Sequence, residues 1–161
     1  MKKIALLLVF LLVSCASSTS RQVDSIIYTH STDSKIKAKN KIDATVYRKG
    51  TSKEGLYLVV NPGDVKYKGT VYLSSLSVWP EQINEFLKIL NSTLNETIET
   101  KGVRFVANLG ENKSFIYTQV INSELYLTID SDAGILNFGR DDVVDLIRIL
   151  NGIKSENEKN M

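Results

Sequence analysis

Two ten-residue stretches, QINEFLKILN at 82–91 and DVVDLIRILN at 142–151, lie sixty positions apart and match in pattern. Each apolar position of the first meets an apolar position of the second, and Lys88 meets Arg148. Ile83, Phe86, Leu87, Leu90 and Leu94 recur at three- and four-residue steps, as do Val143, Leu146, Ile147 and Leu150. That spacing puts each set on one face of an amphipathic helix. Pro80 suits the first helical position, where its missing N–H costs nothing, and Glu81, Asp141 and Asp142 complement the helix dipole at the two starts. Gly152 is expected to weaken or end the second helix. An internal repeat of one helix per half is the strongest restriction on what this chain can fold into.

What precedes each helix carries the repeat further. Before the second, strands are expected at about 102–109, 113–120, 124–130 and 134–138, divided by Gly110-Glu111-Asn112, Asn122-Ser123 and Asp132-Ala133-Gly134. Before the first, they are expected at about 22–30, 35–48, 55–61 and 65–77, with Asn61-Pro62-Gly63-Asp64 as a turn. Strands followed by a helix, twice, predict an α+β fold: two related four-strand-then-helix halves, with antiparallel sheet packed against two amphipathic helices. The halves span about 22–98 and 102–153 of a single domain at 22–153, and 154–161 is a polar tail expected to fray. This order of elements resembles the tandem repeats of the PUR and whirly-type single-strand-binding folds. The resemblance covers most of the chain as order alone, with no shared residue motif, and fold does not dictate function.

The first twenty residues say where such a domain resides. Lys2 and Lys3 precede an unbroken apolar run from Ile4 to Val13. The run is too short for a membrane-spanning helix, which needs about 20 residues, and it reads as a signal peptide at 1–14. It ends in Leu12-Val13-Ser14-Cys15, which resembles the lipobox of bacterial lipoproteins, with Val13 in place of the more usual small residue. The resemblance implies cleavage before Cys15, a lipid (palmitate among its acyl chains) on Cys15, and a membrane anchor. Two or more chains anchor stably where one does not. Lipidation also removes a lone thiol from an oxidising compartment. Residues 15–21 then form the lipidated cysteine and a flexible polar tether. Ala16, rather than Asp, follows the cysteine. By the same resemblance this points to the outer membrane if the organism is diderm, and to an outward-facing domain if it has one membrane.

Cys15 is the single cysteine, so no intrachain disulfide is available and packing must supply stability. Charge is uneven. Residues 15–78 hold ten basic and five acidic side chains, and residues 79–161 hold eight and thirteen. Such asymmetry guides partners or draws the halves together.

Lys35, Lys37, Lys39 and Lys41 recur at every second position, so a strand places all four on one face. They form a candidate anion-binding stripe for lipid headgroups, lipopolysaccharide phosphates or an acidic glycan, the alternative being a lysine-guarded edge. Trp79, the single tryptophan, is the candidate interaction anchor, with packing over the edge of the core as its alternative. Asp130-Ser131-Asp132-Ala133-Gly134 hints at calcium, but the glycine needed at the sixth loop position is Ile135 and the twelfth is Asp141, so a plain turn is expected. His30 is the single histidine, with no Cys or His cluster for a metal and no nucleophile motif for a triad. No catalytic residue, metal or cofactor is assigned. The expected role is a non-enzymatic binding or assembly module at the cell envelope, with membrane, an envelope protein, or an anionic glycan or lipid as partner. Nucleic acid does not suit that location. The alternative is a small envelope hydrolase acting on glycan or peptide.

Overall fold

Alternating apolar residues and tight turns make the second half a four-stranded meander. β8 (Arg104–Leu109), β9 (Asn112–Ile121), β10 (Glu124–Ser131) and β11 (Gly134–Phe138) pair antiparallel in sequence order. Their bounds agree with the expected strands to within two residues. Gly110 between β8 and β9, and Asn122 and Ser123 between β9 and β10, have positive φ, as two-residue hairpin turns require. The computed structural model describes residues 20–22, 27–30, 39–48, 56–61, 65–67, 70–72, 76–99, 102, 104–132 and 134–159. The leader, Cys15, Lys35, Lys37 and the turn residues 62–64 lie outside them.

The first half repeats the order with two modifications. β1 (Ser20–Gln22) and β2 (Ile27–His30) pair with successive stretches of β3 (Lys39–Arg48). β4 (Leu56–Asn61) occupies the other side of β3 along Asp43–Arg48, so β1 and β2 act as one interrupted first strand. Ser20 and Arg21, expected in the tether, are therefore strand residues. The run expected as one strand at 65–77 is three. β5 (Val65–Tyr67) and β6 (Thr70–Tyr72) form a separate two-stranded hairpin, and β7 (Leu76–Val78) alone of the three pairs with β4.

The halves join through β2 and β11, giving the order β7-β4-β3-β2-β11-β10-β9-β8. This is an α+β fold of antiparallel sheet and two helices, built from two four-strand-then-helix halves. A single 3₁₀ turn (Pro80–Gln82) leads into α1 (Ile83–Leu94), and α2 spans Arg140–Lys159. Phe86 and Leu90 of α1 join Leu146 and Leu150 of α2 in one core with Leu58, Val60, Ile116, Ile129 and Phe138 from the strands. Leu94 and Ile147 pack at its margin.

Two side-chain amides act where strands run out. Gln82 Oε1 accepts the Gly110 N–H (2.7 Å) and Gln82 Nε2 donates to the Gly110 carbonyl (3.0 Å). Oε1 also accepts the Trp79 N–H at 3.1 Å. One side chain thereby ties the start of α1, just after β7, to the β8–β9 turn, and brings the two ends of the sheet together. A Cβ on Gly110 would stand 2.9 Å from Ser77 Cβ, so only glycine meets both the backbone angle and the approach.

Asn157 does the equivalent at β4. Its Oδ1 accepts the Leu56 N–H at 2.6 Å and its Nδ2 donates to the Leu56 carbonyl at 3.0 Å. Continuing the β4–β7 register would set Leu56 opposite Pro80, which has no N–H to give. Asn157 supplies the missing partner, and this explains two corrections. α2 does not end at Gly152, and residues 154–159 are helical rather than frayed. Burial of Ile153 (2% exposed) and the Asn157 clamp outweigh the roughly 1 kcal/mol that an interior glycine costs.

Gln82→Ala leaves both Gly110 backbone groups without partners and should lower stability by about 1–3 kcal/mol. Urea titration should show a lower midpoint at unchanged slope. Truncation after Lys154 should destabilise by a similar amount. A truncated chain as stable as the full one would return the last turns of α2 to a passive tail.

Candidate ligand-binding face

Strand alternation divides the sheet into a helix-lined face and a helix-free face. Leu58 and Val60 of β4 and Leu127 and Ile129 of β10 belong to the first. Among the side chains whose burial is described, the second is open on the β8–β9 hairpin. There Arg104 stands opposite Tyr117, Val106 opposite Phe115, and Asn108 opposite Lys113. Arg104 Cζ lies 5.6 Å from the Tyr117 ring centre and Lys113 Nζ 5.7 Å from that of Phe115, within cation–π range. Val106 is 53% exposed and Phe115 47%. Across Asp130, in the same register line, Ile135 is 54% exposed.

Beside this patch, on the same face, a polar network fixes the neighbouring strands. Gln119 Nε2 donates to Thr128 Oγ1 (2.6 Å) and Asn137 Oδ1 (3.3 Å), and Thr128 Oγ1 donates to Asn137 Oδ1 (2.8 Å). Thr128 and Asn137 are buried, so these bonds carry register and rigidity rather than ligand contact.

The lysine stripe divides. Lys39 and Lys41 occupy β3, in register with His30 and Tyr28. Thr29 pairs with Phe138, a residue of the helix-lined face. Its neighbours Tyr28 and His30, and with them Lys39 and Lys41, therefore hold positions on the helix-free face that Arg104 shares. Lys35 and Lys37 lie outside the described residues. Trp79 is half-buried at the start of the 3₁₀ turn, with its carbonyl accepting the Gln82 N–H at 2.9 Å. The Asp130–Gly134 segment is a hairpin turn, in which Asp130 pairs with Ile135 and Ser131 with Gly134.

Between the end of α1 and the start of α2, Thr93, Thr118, Leu127, Phe138, Arg140 and Val143 line a cavity of about 40 Å³. That is room for roughly one water molecule and not for a substrate. Beside it Thr118 Oγ1 donates to Glu96 Oε2 and accepts the Gly102 N–H at 3.2 Å. Glu96 is 7% exposed and its Oε1 has no hydrogen-bond partner. Among the described residues no group of three or more His, Cys, Asp or Glu is placed to hold a metal.

No protein family matches the sequence. No curated protein matches it either. A solved structure from work on SsgB and longitudinal cell division during sporulation of Streptomyces coelicolor aligns with 9% identity and a TM-score of 0.38, over 87% of this chain and 96% of that one. Similarity at that level says nothing about function.

Tyr126 supplies a pH test of the scaffold. Its hydroxyl donates to Glu124 Oε2 at 2.7 Å. Burial, that hydrogen bond, and the Glu124 and Asp142 charges push its pKa from 10.0 up to about 12. Below pH 10 the folded and unfolded chains both keep the proton. Between pH 10 and 12 only the unfolded chain releases it, so stability falls across that window, by at most about 1.4 kcal/mol per pH unit. Denaturation midpoints of wild type and Tyr126→Phe from pH 9 to 12 should diverge, with the wild type declining more steeply.

Proposed function

We propose that this chain is a membrane-anchored bacterial lipoprotein, lipid-modified at Cys15, that acts as a non-enzymatic binding or assembly module at the cell envelope. The observation that carries the reading is the apolar run closed by Leu12-Val13-Ser14-Cys15. A basic start, a run too short to span a bilayer and a cysteine at its end together suit lipidation better than simple secretion. Among the described residues no helix is long and apolar enough to cross a membrane, so in this reading the lipid holds the protein there.

The fold adds a distance to this picture. β1 begins at Ser20, five residues after Cys15. Five residues span at most about 18 Å. The domain therefore stays close to the lipid surface that anchors it. Recognition rather than bond-breaking suits the β8–β9 face, where cations and aromatic rings stand together.

Metabolic labelling with a palmitate analogue, followed by membrane fractionation, tests this. Wild type should carry label and sediment with membranes. Cys15→Ser should lose the label and accumulate with its leader uncut. Labelling that survives in Cys15→Ser would overturn the anchor. For a diderm host, density separation should place the protein with the outer membrane.

A further inference from the structure

The six residues on the outer face of the β8–β9 hairpin are Arg104, Val106, Asn108, Lys113, Phe115 and Tyr117. None is acidic, although residues 79–161 hold thirteen acidic side chains against eight basic ones. Two cations, two aromatic rings, one aliphatic side chain and one amide make up these six positions, and the carboxylate of Asp130 borders them across from Phe115. The nearest acids are Asp130, half-buried beside Phe115, and Glu111, exposed in the turn.

We propose that this hairpin face binds an anionic glycan, a chain of sugar rings carrying carboxylate or phosphate groups. Phe115 and Tyr117 are two residues apart on one strand, about 7 Å, and Val106 lies directly across from Phe115. Together they supply apolar surface for the C–H groups of sugar rings, beside the cations that lie over the two aromatic rings. Asn108 offers an amide to hydroxyl groups. Arg104 and Lys113 sit at opposite ends of the patch, about 14 Å apart along the strand direction, where they meet sparse negative charge.

That sparseness selects the ligand class. A nucleic-acid strand presents a phosphate at every nucleotide and calls for a denser row of cations than two separated by neutral side chains. Lys39 and Lys41 hold register positions on β3, four strands from β9. The proposal deepens the envelope reading, which supplies the place where such a glycan is met. The binding itself does not depend on Cys15.

The test uses full-length protein in detergent micelles and isothermal titration with a uronic-acid oligosaccharide, its carboxyl-reduced counterpart, and a single-stranded oligonucleotide of similar length. The uronic oligosaccharide should bind, weaken as salt rises, and lose about tenfold or more in affinity on carboxyl reduction. Arg104→Gln with Lys113→Gln should reproduce that loss, and Phe115→Ser should weaken the acidic and the reduced sugar alike. Far-ultraviolet circular dichroism and denaturation midpoints confirm that each variant is folded, and Lys88→Gln, on the exposed side of α1, serves as a charge control that should bind as wild type does.

Absence of binding to the uronic oligosaccharide, or equal binding by the folded double variant, overturns the proposal. Tighter binding of the oligonucleotide overturns the ligand class. Lipid label that survives in Cys15→Ser, with glycan binding intact, would sink the anchor reading alone. Correct lipidation with no glycan binding would sink the face alone.

Discussion

A sheet whose outer strands meet must satisfy the backbone where pairing stops, and here one glutamine does so. Gln82 presents an amide, the same donor and acceptor pair that a peptide unit offers, to Gly110. It also takes the Trp79 N–H at the start of the first helix. The helix start, the end of β7 and the first hairpin of the second half are thereby fixed to one another. Asn157 repeats the device on Leu56, so the last turns of α2 are held to the first half of the chain. Packing then follows from position. With the sheet ends tied, the apolar faces of both helices have a surface to fill, and Phe86, Leu90, Leu146 and Leu150 fill it.

Much of this architecture was legible in the sequence because it rests on local periodicity. The helices follow from three- and four-residue spacing, and β8 to β11 from short alternating runs divided by Gly, Asn and Ser. What was not legible depends on partners distant in sequence. Gly152 reads as a helix stop in any local window. The residue that carries the helix past it, Asn157, is answered by Leu56, about a hundred positions earlier. The 65–77 run reads as one strand because nothing nearby shows that only Leu76–Val78 finds a partner in β4.

The candidate site shows the same limit. The lysine stripe stood out because its members are neighbours in sequence. Arg104, Lys113, Phe115 and Tyr117 did not, because two strands and their register are needed to bring them together. Alternation alone assigns Phe115 and Tyr117 to one face of β9. Only the pairing with β8 adds Arg104 and Val106 and shows that the six paired positions hold no acid.

The strand order has a consequence for how such a chain could arise. The first strand of the first half pairs with the last strand of the second, and the last of the first half abuts the first of the second at Ser77 and Gly110. A half taken alone has two bare flanks, each the complement of the other. Two separate half-length chains would meet flank to flank in the same cyclic order, so the 95–103 connection raises local concentration without deciding the topology. The connectivity is that of two ββββα units set flank to flank. The first carries the β5–β6 hairpin in addition, and the second is the regular meander that carries the exposed cations and rings.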